Sequence, residues 1–252
     1  STKSFTSQRI WSSSLETQRQ AFGSINLDSK MPRLEQAVID SFNSFFRREA
    51  QKSNLQVRSF SLGGQDTWAG ADYVLSDQSQ FALIEFKYTQ NEIASEVMKD
   101  RRLKLCKELE TDTMMRELHD QCHFIAWAEH PKMEGRCNVY RLEVCNQKVF
   151  GATCGLSAQR PSEVPRISAR QFTTEFFANR PPRSLSLKDF ETYLAWLLTV
   201  ASSSRKSSLQ LLTFDDSSDE CAMVPLASIR DAYEWMQRQA PQPKQEPPRD
   251  GI

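Results

Sequence analysis

The stretch Phe81-Ala-Leu-Ile-Glu-Phe-Lys-Tyr88 decides how this chain is read. It is an apolar and aromatic run broken only by Glu85 and Lys87, with polar segments on either side. A run of this length, rich in Phe, Ile and Tyr, predicts a β-strand. Side chains alternate along a strand, so Glu85 and Lys87 project from one face and Ile84 and Phe86 from the other. An acid and an ammonium on an otherwise apolar strand are costly to bury without partners or a task.

Immediately upstream, Ala71-Asp-Tyr-Val-Leu75 predicts a second strand, and Ser76-Asp-Gln-Ser-Gln80 joins the two as a hairpin. Gly70, just before Ala71, allows a close approach of the backbone. Asp72 opens the first strand, and twelve residues separate it from Glu85-Phe86-Lys87.

This spacing resembles the D-x(n)-E-x-K signature of the PD-(D/E)xK nuclease superfamily, the fold of many restriction and repair endonucleases. The resemblance runs from Pro32 to Trp127, somewhat under half the chain, and departs from the family pattern in having Ala71 rather than Pro before Asp72. It implies a mixed α/β core and a catalytic set of Asp72, Glu85, Lys87 and Glu35. It also implies a magnesium or manganese ion held by Asp72, Glu85, the main-chain carbonyl of Phe86 and Glu35. The residue types suit the chemistry. Phosphodiester hydrolysis needs an activated water and relief of phosphate charge, which a carboxylate-held divalent cation supplies. Magnesium takes hard oxygen ligands and keeps several waters, so two or three carboxylates suffice. An ammonium on the same face can orient the water or stabilise the charged transition state. The competing reading of Glu85 and Lys87 is an ion pair on an ordinary half-buried strand.

Working outward, a helix is expected over about Pro32 to Arg48, with Leu34, Val38, Phe42 and Phe45 at helical spacing, as are Glu35, Ile39, Phe42 and Phe46. Glu35 lies at the edge of that apolar stripe. It is either a ligand or an ordinary first-turn acid favoured by the helix dipole. Leu55 to Leu62 alternates as a strand, and Gly63-Gly-Gln-Asp66 is a turn. After Lys87 a charged helix is expected from about Ile93 to His119. Its Arg101, Arg102 and Lys104 are candidates for nucleic-acid phosphate contact, against the alternative of a solvated face. Gln90, just past Lys87, is a further candidate. Gln121 to Ala128 reads as a core strand and Asn138 to Cys145 as an edge strand.

Residues 155–183 are polar and carry several prolines, which places a loose boundary there. Ser186-Leu-Lys-Asp189 resembles a capping box opening a helix to about Ser202. Leu209 to Phe214 and Cys221 to Leu226 suit a hairpin, and a last helix spans about Ala227 to Gln239. The expected organisation is therefore a flexible arm (1–30), a nuclease-like core (31–154), a helical and hairpin extension (155–239) and a proline-rich tail (240–252).

The chain has 252 residues, with 32 basic and 32 acidic side chains, so its formal net charge is zero. A dedicated nucleic-acid binder is usually basic, so neutrality argues for a local positive field or help from a partner. No apolar run is long enough to span a bilayer, and residues 1–30 lack the apolar segment of a signal peptide. The six cysteines form no C-x-x-C pair and are expected as reduced thiols in a cytoplasmic protein. His119, Cys122, His123, His130 and Cys137 fall close together. His119 and His123, however, straddle a predicted helix-to-strand change, so helical spacing does not gather them for zinc. No Gly-x-Ser-x-Gly elbow is present. The expectation is a magnesium-dependent nuclease acting on DNA. By analogy with the family it serves a bacterial anti-phage defence or restriction assembly, with a protein partner or as a homo-oligomer. The alternative, from another class, is an inactive nuclease-fold module that binds a partner protein.

Overall fold

In the computed structural model the Phe81–Tyr88 run becomes β3 (Gln80–Thr89), whose residues Phe81 to Lys87 are all buried. The structure describes residues 31–62, 69–99, 101–157, 165–179, 181–201, 210–215 and 222–239. The arm 1–30, the turn Gly63–Asp66 and the tail 240–252 lie outside the described residues. Residues 1–34 form a unit apart from Glu35–Ile252, and the sheet lies in the second.

The fold is mixed α/β. Helix α1 (Met31–Lys52) leads into β1 (Arg58–Ser61), β2 (Tyr73–Ser76) and β3, and a 3₁₀ segment (Gln90–Met98) follows. Next come α2 (Arg102–Thr111), α3 (Thr113–Cys122), β4 (His123–Glu129), β5 (Glu134–Val139), α4 (Tyr140–Val144) and α5 (Gln147–Phe150). The chain continues through β6 (Ile167–Ser168), α6 (Ala169–Phe176), β7 (Leu185–Ser186), α7 (Leu187–Ala201), β8 (Leu211–Asp215), β9 (Ala222–Leu226) and α8 (Ile229–Gln239). The strands form one nine-stranded sheet, β6-β5-β4-β3-β2-β1-β8-β9, with β7 pairing the start of β3. Strand β3 is antiparallel to β2 and parallel to β4. The parallel step requires a crossover, and the segment from Gln90 to Cys122 supplies it.

Alternation along β3 sorts its side chains between two cores. Phe81 and Leu83 join Ile125, Trp127, Leu105, Leu109, Tyr193 and Leu197 on one face. Ala82, Ile84 and Phe86 join Phe124, Phe172, Phe176 and the α1 residues Ile39, Phe42 and Phe46 on the other. The latter face is aromatic: the Phe42 ring lies 5.2 Å from Phe86 edge-on, and Phe124 lies 5.1 Å from Phe172 in the same manner. Such pairs add about 0.5–1.5 kcal/mol each beyond burial.

Several expectations need correction. The helix expected over Ile93 to His119 is three pieces. Arg101 takes a left-handed backbone (φ 69°), and the Asp112 side chain accepts from Met115 N–H at 3.0 Å, starting α3 afresh. The edge strand expected to Cys145 stops at Val139. Asn138 Oδ1 accepts the Val139 N–H at 2.8 Å, a local bond that competes with the ladder. Tyr140 and Val144 are then buried one helical turn apart. Within the polar stretch 155–183, helix α6 is built on Ser168, whose hydroxyl accepts from Gln171 N–H at 3.1 Å, and it buries Phe172 and Phe176. Residues 155–239, expected as an extension, contribute β6, β7, β8 and β9 to the same sheet as the core. Not all the cysteines are reduced thiols: Cys106 on α2 and Cys145 after α4 form a disulfide. Cys122, Cys137 and Cys154 are free and buried. Among the described residues no helix is long and apolar enough to cross a membrane.

Candidate active site

The hairpin brings Asp72 to the strand that carries Glu85 and Lys87. Asp72 N–H donates to Ile84 C=O at 2.9 Å, in register with the β2–β3 ladder. Where that ladder ends, the Asp72 side chain replaces the missing strand, and its Oδ2 accepts the Phe86 N–H at 2.7 Å. A carboxylate is thereby anchored beside the backbone between Glu85 and Lys87. The pairing of β3 with β4 shifts register between Lys87 and Thr89. Irregularities of this kind commonly re-aim side chains next to active sites.

Glu85 is only 1% exposed, and its two oxygens have different surroundings. Oε1 accepts from Lys87 Nζ and from Lys99 Nζ, the latter at 2.5 Å. Oε2 is buried without a hydrogen-bond partner. Behind the lysines lies Glu96, fully buried in the 3₁₀ segment. Its Oε1 is 2.9 Å from Lys87 Nζ and 3.2 Å from Lys99 Nζ, ion pairs without hydrogen-bond alignment. Its Oε2 accepts from the Tyr140 hydroxyl at 2.6 Å and from Arg102 Nε at 3.3 Å.

The electrostatics divide the acids into two kinds. Burial would raise the Glu96 carboxyl, but Lys87, Lys99 and Arg102 outweigh it and hold it well below the usual carboxylate range. Burial would lower Lys87, but Glu85 and Glu96 outweigh it, so the ammonium is held charged more firmly than a free lysine. Asp72 behaves oppositely. Burial and then repulsion from Glu85 raise it well above its ordinary value, only partly offset by the Phe86 N–H and Lys87. Glu35 is raised by burial, and the charge of Lys87 offsets part of that rise.

The structure places Asp72, Glu85 and Lys87 side by side along β3, while Glu35 stands half-buried on α1. Among the described residues no three His, Cys, Asp or Glu side chains already stand at metal-coordinating positions. The donor set nonetheless fits a hard cation: Glu85 Oε2 is unpartnered, and the Asp72 carboxylate is destabilised by burial and by its neighbour's charge. Of the basic residues expected on phosphate, Arg102 is corrected. It is 1% exposed and faces inward onto Glu96, balancing charge inside the fold. Arg101 is half-buried and Lys104 is exposed on α2. Gln90 opens the 3₁₀ segment and lines a surface pocket with Asn91, Leu142, Glu143 and Arg166. Sequence reasoning misses Glu96 and Tyr140, and reads Lys99 only as one of the basic residues of a charged helix with a phosphate-contact alternative, not as a partner of Glu85.

The histidines resolve differently from expectation. His119 and His123 do meet, with ring centroids 4.7 Å apart, but Tyr193 joins them rather than a metal geometry. Its hydroxyl is 2.7 Å from Nδ1 of each. His123 Nε2 donates to Gly70 C=O at 2.7 Å, so its Nδ1 accepts the Tyr193 proton. Arg141 N–H donates to His119 Nε2 at 3.2 Å, so His119 Nδ1–H donates to the Tyr193 oxygen. Both imidazoles are neutral, because burial lowers His119 well below its ordinary value and His123 to about 3. The chain of bonds ends on the carbonyl of Gly70, whose positive φ of 70° strains any other residue and where a Cβ would crowd His123 at 3.1 Å and Arg102 at 3.2 Å. Two residues later comes Asp72.

No protein-family model, curated protein sequence or solved structure matches this chain, so its functional reading rests on the geometry of this cluster.

Proposed function

We propose that this protein is a metal-dependent nuclease that hydrolyses phosphodiester bonds in DNA, with Asp72, Glu85, Lys87 and Glu35 as its working residues. The observation that carries the reading is the division of Glu85: one oxygen takes two ammonium donors, and the other is buried and unpartnered, one residue from the Phe86 N–H that Asp72 caps. Glu85 Oε2 and Asp72 would hold magnesium or manganese, with the Phe86 carbonyl completing the shell as the family resemblance implies; Glu35, which the resemblance also offers to the metal, is assigned here to the water. A divalent cation there supplies charge relief on the phosphate and a more acidic water.

The chain's own groups then take defined roles. Lys87, held protonated between Glu85 and Glu96, cannot act as a base. It is a fixed donor that stabilises the extra negative charge of the transition state. Glu35 is raised above an ordinary carboxyl and lies nearer solvent than Glu85, so it suits acceptance of the proton from the attacking water. In the overall reaction the water oxygen bonds to phosphorus, the bridging phosphorus–oxygen bond breaks, and solvent protonates the departing alkoxide.

A second reading is a non-catalytic module that keeps this site as an internal ion network, and the saturation of Glu85 Oε1 by two lysines favours it. Incubation of the purified chain with plasmid DNA, and separately RNA, in magnesium, manganese or EDTA separates the two. Metal-dependent cleavage lost in both Glu85→Ala and Lys87→Ala supports the nuclease. A robust activity that survives both substitutions overturns the site, and a folded protein inert on both polymers overturns the nuclease. Membership of a defence or restriction assembly, and a protein partner or self-association, remain part of the same proposal by analogy with the family.

A further inference from the structure

The site holds two lysines where the motif supplies one. Lys99 reaches Glu85 Oε1 at 2.5 Å from the end of the 3₁₀ segment, on a separate element from β3. Its environment differs from that of Lys87 in two respects. The Lys87 side chain is 5% exposed and sits 2.9 Å from Glu96, whereas the Lys99 side chain is 19% exposed and sits 3.2 Å from Glu96. Lys99 thus closes the cluster on its solvent side, the side from which a polyanion arrives. Its neighbours Val97 and Met98 are exposed.

We propose that Lys99 is a second catalytic cation, which leaves Glu85 to bind a non-bridging oxygen of the scissile phosphate while Lys87 stays in place. This deepens the nuclease reading and rests on it. The reason is charge balance at Glu85. With the site empty of substrate, Oε1 accepts from two ammonium groups. A divalent cation on Glu85 makes one of those donors surplus, and the more exposed one is Lys99. Glu96 serves as its tether. Its own charge stays balanced by Lys87 and Arg102, so Lys99 can turn outward without leaving a bare buried carboxylate. Phosphate charge then replaces the Glu85 charge as the partner of the ammonium.

Three measurements on the full chain test this. Single-turnover cleavage of an end-labelled DNA oligonucleotide in magnesium should slow by about 10²–10³-fold in Lys99→Met, the size expected for removing one preorganised donor. Lys99→Arg, which keeps the charge, should restore most of that loss. Manganese affinity, read by isothermal titration without DNA, should hold or tighten, since Lys99 competes with the cation for Glu85. DNA binding in calcium should lose about 0.9 from the slope of log affinity against log salt, one phosphate contact's worth of counterion release. If Lys99→Met fails to fold by thermal melting, Lys99→Gln takes its place. Cleavage by the parent with a rate in Lys99→Met within about threefold overturns the role of Lys99 and leaves the nuclease standing. Loss of manganese binding in Lys99→Met shows that the residue only props Glu85, and also overturns it. Absence of cleavage by the parent in every metal removes the nuclease reading and this inference with it.

Discussion

Glu96 offers the sharpest test of how the interior is balanced. It is fully buried and carries one charge against Lys87 at 2.9 Å, Lys99 at 3.2 Å and Arg102 at 3.3 Å, with Tyr140 donating at 2.6 Å. Glu96→Gln preserves shape and removes the charge, leaving Arg102 buried opposite a neutral amide. Removing one partner of a buried ion pair costs about 3–5 kcal/mol, and we expect that range here. Tyr140→Phe removes the donor instead, and a hydrogen bond to a charged group contributes about 1.5–3 kcal/mol. The two share one bond, so the double variant should fall short of the sum by about 1 kcal/mol or more. Urea unfolding of all four proteins, followed by tryptophan fluorescence, gives the cycle. The sign with pH is also defined. Glu96 is depressed in the folded state, so its contribution is full above its ordinary value of 4.5 and is lost as pH falls toward the folded value. The gap between parent and Glu96→Gln should therefore close in acid. A loss under about 1 kcal/mol at neutral pH, or single effects that add within about 0.5 kcal/mol, would refute the account of a charge-balanced interior.

Three further outcomes follow from the same geometry. Asp72 is raised by burial and by Glu85, so above the ordinary carboxylate range its charge opposes folding. Asp72→Asn should raise Tm at pH 7, narrow that advantage as pH falls, and abolish the rise in Tm that magnesium gives the parent, about 2.7 kcal/mol at a hundredfold excess over Kd; a magnesium shift that persists in the variant sinks the cation site. Tyr193→Phe deprives His123 Nδ1 of its donor and His119 Nδ1–H of its acceptor, so it should cost about 2–4 kcal/mol in chemical unfolding, and a near-neutral result means the hydroxyl does not bridge the two rings. The Cys106–Cys145 bond closes a separation of 39 residues, for which chain entropy gives about 4 kcal/mol, so dithiothreitol should lower the urea midpoint accordingly in the parent and leave Cys106→Ala unchanged.

The local elements were legible where periodicity and burial agree. The Phe81–Tyr88 run, the strand before it, the α1 stripe of Ile39, Phe42 and Phe46, and the final hairpin all announce themselves by side-chain period alone. Reading failed where a short-range bond overrode the pattern. Asn138 ended a strand that alternation would have continued, and Asp112 restarted a helix that charge content made look unbroken. Helix α6 shows the reverse error, because prolines nearby drew attention from a Ser168 cap and two phenylalanines at helical spacing.

The sequence by itself determined that an acid, an acid and an amine would share a hairpin, since strand alternation and a short connection leave Asp72, Glu85 and Lys87 few other places to go. Only the tertiary structure decided what surrounds them. Glu96, Lys99, Arg102 and Tyr140 come from the 3₁₀ segment, α2 and α4, and no local pattern encodes that they converge behind β3. Nor does any local pattern place Tyr193 between His119 and His123, 74 and 70 residues away. The physical reason is that a buried charge or imidazole must find its partner in space. The fold, which brings distant elements within hydrogen-bond reach, chooses that partner.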